Sequence, residues 1–333
     1  MSQLKKMMIY GASGYTGRLV AYEAKRAGLR PILAGRSGAQ LEELAAKLGL
    51  EHRIFAAGST QDARRALADI DLLVNCAGPF QRTAPHLIPA AISARTHYLD
   101  VSAELDSYRL SETLGAEAKR AGVMLMPGGG GSVAMIGSLV AVLAGKVQRP
   151  SHISLALHVS GSMSRGSAIS AAENVSPIYI TRQNGALREQ AGAVNRRFDF
   201  GSMQAECFPA TLPDVVTLWR DHLAPNIETF VHVSGTAFSA SGIEELPAGP
   251  DELERAAHRY QAAAVVTGDD GQVVYGSLDT VNGYGFTPLA TVEASRRILD
   301  GAAKPGFQTS TSLFGARFAE DIADTSINVI EVG

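Results

Sequence analysis

The sequence predicts an α/β protein: a doubly wound parallel sheet of the Rossmann type, followed by a second, α+β domain. Three observations predict it. Through the first third of the chain, short apolar runs alternate with stretches of helical spacing, the pattern of a parallel sheet covered on both faces. The first apolar run leads straight into a glycine-rich turn, Gly11-Ala12-Ser13-Gly14-Tyr15-Thr16-Gly17. After Pro127-Gly128-Gly129-Gly130-Gly131-Ser132 the pattern changes, which divides the 333 residues into a domain over 1–131 and another over 132–333. Two domains suit a chain of this length, at about 100–200 residues each.

Taken in order, six strands are expected near Met7–Tyr10, Pro31–Ala34, Arg53–Ala56, Leu72–Asn75, Tyr98–Val101 and Val123–Met126, the number in a dinucleotide-binding sheet. Helical spacing lies between most of them, as in Leu41, Leu44, Ala45 and Leu48. Pro85 and Pro89 fall near the start of one crossover helix; a first turn tolerates proline, and Pro89 comes a turn late. The four glycines from Gly128 read either as a hinge or as backbone that must approach a ligand closely. Val133 to Ala144 reads as a buried helix, too short to span a bilayer. Ile153, Leu155, Leu157 and Val159 alternate with polar or small residues as in a half-buried strand. Further strands are expected from Phe230 and over Val273–Tyr275, with helices over Asp251–Val265 and Pro288–Leu299, the latter stopped by Gly301 and Pro305.

The turn at Gly11, Gly14 and Gly17 lies after a strand and before a helix marked by Leu19, Val20, Ala24 and Ala27. That context makes a G-x-x-G-x-x-G spacing a phosphate loop. Glycines let the backbone approach a pyrophosphate, and the helix N-terminus offers unpaired NH groups and a positive dipole. Ser13 and Thr16 can add hydroxyl hydrogen bonds, and Tyr15 belongs to the same loop. The second strand ends in Gly35-Arg36-Ser37, where a site for NAD carries an acid for the ribose 2′-hydroxyl. Arg36 suits a 2′-phosphate instead and Ser37 can donate to it, so the expected cofactor is NADP. Asn75, Ala77, Gly78 and Pro79 follow the fourth strand, at the sheet edge where ligands of open α/β folds bind. Small residues there let a nicotinamide ribose rest on backbone, with Asn75 available to hydrogen-bond it; Cys76 reads as a small buried hydrophobe.

A net charge of −3 and a balanced composition point to no nucleic-acid partner. Two cysteines, Cys76 and Cys207, and no apolar leader favour a cytoplasmic protein without disulfides. The eight histidines lack metal-ligand spacing, so no metal is expected.

The stretches GASGYTG (11–17), LAGRS (33–37), NCAGPF (75–80), HYLDVSAE (97–104), SRGSAIS (164–170), PNIETF (225–230) and GFQTSTSLFG (306–315) resemble the saccharopine dehydrogenase-like family, in particular its small reductase-like members, among them trans-acting enoyl reductases. They cover nearly the whole length, and NCAGPF followed by HYLDVSAE is the most specific part. The resemblance implies a second domain that dimerises and covers the active site. It also implies a C-terminal return, about 286–323, with a helix packing on the Rossmann domain. It fixes no single substrate.

Asp100, with His97, Tyr98 and Glu104, follows the fifth strand; its carboxylate reads either as a ribose or proton-donor contact or, with Ser102, as a helix cap. Arg165 reads as a clamp for a substrate carboxylate or as a plain surface arginine. Tyr98 and Tyr284 are the candidate proton donors. The function expected is hydride transfer between NADP(H) and a C=N or C=C bond of an anionic small molecule held between the domains, in a homodimer. A non-catalytic NADP(H) sensor is the alternative. A short-chain dehydrogenase is excluded, because no tyrosine has a lysine four residues on. A further alternative resembles N-acetyl-glutamyl-phosphate reductase, which shares GASGYTG but needs a thiolate; Cys207 lacks the preceding glycine turn.

Overall fold

The computed structural model describes residues 5–174, 178–192, 194–235, 246–322 and 324–332. The chain forms two compact units, residues 1–131 with 287–313 and residues 132–286 with 314–333.

In the first unit strands and helices alternate: β1 (Met7–Tyr10), α1 (Tyr15–Arg26), β2 (Ile32–Gly35), α2 (Gly38–Leu48), β3 (His52–Ile54), α3 (Thr60–Ala66), β4 (Leu72–Asn75), α4 (Phe80–Ala94), β5 (His97–Asp100), α5 (Leu105–Ala121) and β6 (Met124–Met126). β1, β2, β4, β5 and β6 are buried throughout apart from His97 at the start of β5, as a sheet covered on both faces requires. The core includes Met8, Leu73, Leu87, Ile88, Tyr98 and Leu125, all without exposure. α1 and α5 carry basic residues in their last turns, where the helix dipole favours cations. Both prolines lie deeper in α4 than a first turn, so each removes an intrahelical NH donor.

The second unit comprises α6 (Ser132–Ala144), β7 (Pro150–Ser160), α7 (Arg165–Asn174), β8 (Ile178–Gln183), β9 (Ala186–Ala191), β10 (Arg196–Asp199), β11 (Gln204–Pro209), α8 (Asp214–His222), β12 (Asn226–Ser234), α9 (Glu252–Ala257), β13 (Arg259–Gly268) and β14 (Val273–Val281). The boundary then falls inside α10 (Gly283–Arg297); β15 (Gly306–Phe307) and most of α11 (Ser310–Phe314) belong to the first unit, and β16 (Ser326–Val332) to the second. The return ends near 313, earlier than expected, and residue 323 lies outside the described residues.

The first sheet runs β15-β6-β5-β4-β1-β2-β3. All its pairings are parallel. Six strands have the doubly wound order, with the direction of winding reversing between β1 and β4; β15 is a seventh that the sequence reading missed. The second sheet is mixed, along β10-β11-β12-β7-β13-β14-β16, with β8 on β12 and β9 on β8. The expected helix over 251–265 is instead one turn and a half, capped by the Asp251 side chain on the Glu254 NH, and then a strand. Pairing of β13 with both β7 and β14 overrides the helical propensity of its alanines.

Candidate cofactor and active site

The chain turns from β1 into α1 through a loop held by its own backbone. Gly11 and Ala12 NH groups donate to the Ala34 carbonyl at 2.8 and 3.1 Å, and Gly14 NH donates to the Gly11 carbonyl at 3.0 Å. A β-carbon on Gly17 would lie 2.1 Å from the Gly11 carbonyl oxygen, so the first turn of α1 meets the loop at a distance only glycine permits. The N-cap residue, Gly14, brings no side chain to the start of α1, and the positive end of the helix dipole suits an anion there. Ser13, Tyr15 and Thr16 are partly exposed and Gly14 is exposed. This cradle fits a pyrophosphate.

Arg36 and Ser37 are exposed where β2 ends, beside β1. The Arg36 charge reaches the Tyr10 hydroxyl, whose pKa burial raises. Tyr10 accepts the Ala57 NH at 2.8 Å and packs on Phe55 with ring centroids 4.8 Å apart. Tyr10 and Phe55 thus brace the end of β3 next to Arg36, a contribution that neither residue signals by its own sequence context.

On the other side of the switch point, Asn75 is fully buried and its amide is spent inside the protein. Nδ2 donates to Thr83 Oγ1 and Tyr98 Oη, both at 3.1 Å, and Oδ1 accepts the Ala77 NH at 3.0 Å. Asn75 therefore shapes the Ala77-Gly78-Pro79 turn with its side chain. The Gly78–Pro79 peptide is cis, and Gly78 is exposed. The Gln81 NH after it donates to the Glu104 carboxylate at 2.9 Å.

Tyr98 and Asp100 complete this network. Tyr98 Oη donates to Asp100 Oδ2 at 2.9 Å; Asp100 Oδ1 accepts from Ser102 NH at 2.9 Å, Ser102 Oγ at 2.7 Å and Gly128 NH at 2.7 Å. Both residues have no solvent exposure. Burial pushes the Tyr98 phenol well above its usual range, with Asp100 adding to the shift. Burial also raises the Asp100 carboxyl, against the pull of its donors. The Tyr98 hydroxyl, offered from sequence as a proton donor, is a structural tie. Nor does Asp100 or Ser102 cap α5: Glu104 holds that position. Asp100 instead staples β5 to the glycine run.

The glycine run is buried. A β-carbon on Gly128, whose φ is +64°, would lie 1.7 Å from Tyr108 Oη, and one on Gly130 1.9 Å from Thr291 Oγ1. At Gly128 and Gly130 the protein's own packing therefore requires glycine. Thr291 comes from the C-terminal return, so no local sequence signal could have shown this.

In the second unit Tyr284 and the segment after Ser164 come together. Ser164 NH donates to Tyr284 Oη at 2.7 Å and Tyr284 Oη donates to Ser167 Oγ at 2.9 Å. Arg165, exposed at the start of α7, donates Nε to the Leu246 carbonyl at 2.9 Å. Neither cysteine is poised to react. Burial pushes Cys76 up to about 12, with Asp100 adding to it, and Cys207 up to about 11. Cys207 sits among Phe198, Phe200 and Phe230, which removes the thiolate that acyl-phosphate reduction requires. Among the described residues no group of His, Cys, Asp or Glu could hold a metal ion, and no helix is long and apolar enough to cross a membrane.

Residues 7–126 match the family model of the saccharopine dehydrogenase NADP binding domain. Across the whole chain the fold is similar to apo saccharopine dehydrogenase (L-Glu forming) from Saccharomyces cerevisiae, with a TM-score of 0.68, 13% identity, and coverage of 99% of this chain and 100% of that one. A myo-inositol dehydrogenase from Corynebacterium glutamicum matches with a TM-score of 0.47 and 14% identity over 96% of this chain and 95% of that one, too distant to carry an argument. No curated protein sequence matches the chain. Residues 7–126 are thus an NADP-binding domain of the saccharopine dehydrogenase type, and the fold of the whole chain is similar to that of saccharopine dehydrogenase.

Proposed function

We propose that the chain is an NADP(H)-dependent oxidoreductase that moves a hydride to a C=N or C=C bond of an anionic small molecule. The observation that carries this reading is the cradle at Gly11–Gly17 with Arg36 beside it, on a sheet of dinucleotide-binding order. NADPH supplies the hydride when bound. The protein's part is to bind and orient. The loop from Gly11 to Gly17 takes the pyrophosphate, Arg36 and Ser37 take the 2′-phosphate, and backbone at Ala77, Gly78 and Pro79 supports the nicotinamide ribose. Arg165 offers its guanidinium to a substrate carboxylate while its Nε holds the Leu246 carbonyl. Tyr284 orders the start of α7 through Ser164 and Ser167, and its hydroxyl is the remaining candidate to hold the proton.

Titration calorimetry with NADPH and NADH tests the cofactor half. Arg36→Ala is expected to weaken NADPH by roughly 1.5–3 kcal/mol, the size of hydrogen bonds to a charged group, with little change for NADH. Turnover tests the rest: NADPH oxidation is expected with a member of a panel of imino acids, enals and enoyl thioesters. Oxidation of none, with tight NADPH binding retained, would hand the reading to the sensor.

The second unit is the proposed homodimer surface. Val265, Tyr275 and Ile330 are cross-strand neighbours on one face of its sheet, and Tyr275 and Ile330 are 42% and 56% exposed. α6 covers the opposite face, where a β-carbon on Gly276 would meet Leu143 at 2.7 Å. Light scattering is expected to give a dimer, and Ile330→Asp a monomer; a wild-type monomer at micromolar concentration sinks the assignment.

A further inference from the structure

Arg18 lies in the first turns of α1, and the hydride-transfer reading leaves it without a task. Its Nε donates to the Ser13 carbonyl at 2.9 Å, so its guanidinium rests against the phosphate loop. Among the described residues its two Nη groups have no partner. Helix spacing gives its direction. Arg18, Tyr22 and Lys25 are four and three residues apart and share one stripe of α1. Lys25 Nζ donates to the Leu48 carbonyl, and Lys47 Nζ lies 5.4 Å from the centre of the Tyr22 ring. The stripe therefore faces α2, and these two residues meet its far end. Arg18 stands one turn closer to the carboxyl edge of the sheet, and side chains on a helix lean toward its N-terminus. That direction leads to the carboxyl edge of the sheet, the edge at which Arg36 and Ser37 are exposed after β2, although the Arg18 charge also reaches Lys47 in the last turn of α2.

We propose that Arg18 is a second cation of the 2′-phosphate site, pre-set by its bond to Ser13 and opposing Arg36 across the phosphate. The inference rests on the cofactor being NADP. A single exposed arginine is a mobile charge that binding must order. An arginine already tied at Nε keeps its planar fork in place and loses less freedom on meeting a phosphate. The tie also couples the two anion sites, because the carbonyl it holds belongs to the loop that takes the pyrophosphate.

The two roles of Arg18, cation and loop latch, separate by cofactor. NADPH and NADH share the pyrophosphate and differ at the 2′ position. Titration calorimetry with both, on wild type, Arg18→Met and Arg18→Lys, reads the difference. Arg18→Met is expected to weaken NADPH by about tenfold or more, as for a lost charge-assisted hydrogen bond, and NADH by less than about twofold. Arg18→Lys keeps a charge and loses the fork, so it should retain part of the preference even if the methionine variant folds poorly. Adenosine 2′-monophosphate and 5′-monophosphate, as separate ligands, are expected to show the same split. Equal losses for NADPH and NADH make Arg18 a loop latch alone and overturn the proposal, as does no loss for either. Equal wild-type affinities for the two cofactors would remove the NADP reading itself, a result distinct from a wild-type preference that Arg18→Met leaves intact.

Discussion

Gly17→Ala is expected to abolish dinucleotide binding, by about 100-fold or more, and to destabilise the first unit by about 3 kcal/mol. The added carbon would lie 2.1 Å from the Gly11 carbonyl oxygen, 2.8 Å from the Gly11 carbonyl carbon and 2.9 Å from the Ala12 α-carbon. All three are backbone atoms and none can rotate away. Relief requires moving α1 off the loop or moving the loop off β2, and the second course breaks the Gly11 and Ala12 bonds to Ala34. Either course displaces the NH groups that receive the pyrophosphate. Gly14 provides the contrast. Its φ of −73° and ψ of 168° suit any residue, and a β-carbon there meets only the Gly11 carbonyl oxygen, at 3.2 Å. Gly14→Val should therefore fold with near-normal stability and lose binding, because its side chain occupies the approach of the ligand. Calorimetry with NADPH together with thermal unfolding separates the two cases. Wild-type affinity in Gly17→Ala would show that the loop does not hold the cofactor.

The contrast between Gly17 and Gly14 shows which parts of this site a sequence can reveal. Strand, glycine turn and helix are consecutive, and each is set by local rules: apolar runs, glycine sterics and helical spacing. The ends of β2 and β4 were equally readable, since each strand carries its ligand-facing residues within a few positions of its last apolar residue. The network behind the site was hidden. Asn75, Tyr98, Asp100 and Gly128 come from three strand ends, and only the parallel registers of β4 with β5 and of β5 with β6 make them neighbours. Polar residues at a functional edge invite a catalytic reading, yet their burial turns them to holding the backbone. The seventh strand is two residues long and reaches β6 from 182 positions away; no periodicity can show in so short an element. β16 failed for another reason. Ile327, Val329 and Ile330 carry a strand's composition, but nothing local says that a chain which has already returned to the first unit leaves it again.

Replacing Asp214 with Asn is expected to stabilise the second unit at neutral and alkaline pH and to do nothing near pH 4. Asp214 opens α8 and is fully buried, and its Oδ1 has no hydrogen-bond partner among the described residues. Burial raises its pKa from 3.8 to about 7, against the opposing pull of its own backbone NH. The folded state therefore prefers the protonated acid. Below about pH 4 the group is neutral folded and unfolded, and its contribution is fully present. As pH rises from about 4 to 7 the unfolded chain releases the proton while the folded chain keeps it, so stability falls. Above about 7 both states are ionised and the loss levels off. At about 1.4 kcal/mol per pKa unit, a rise from 3.8 to about 7 amounts to about 4 kcal/mol as an upper bound. Asparagine keeps the shape and has no proton to lose. The difference in unfolding free energy between Asp214→Asn and wild type, measured by urea denaturation from pH 4 to pH 9, should climb between about 4 and 7 and then stay flat. A difference independent of pH would mean that Asp214 is solvated or paired in solution. A difference that falls with pH would mean that the charge is stabilised there, as the positive dipole at the start of α8 could do only if it outweighed the cost of burial.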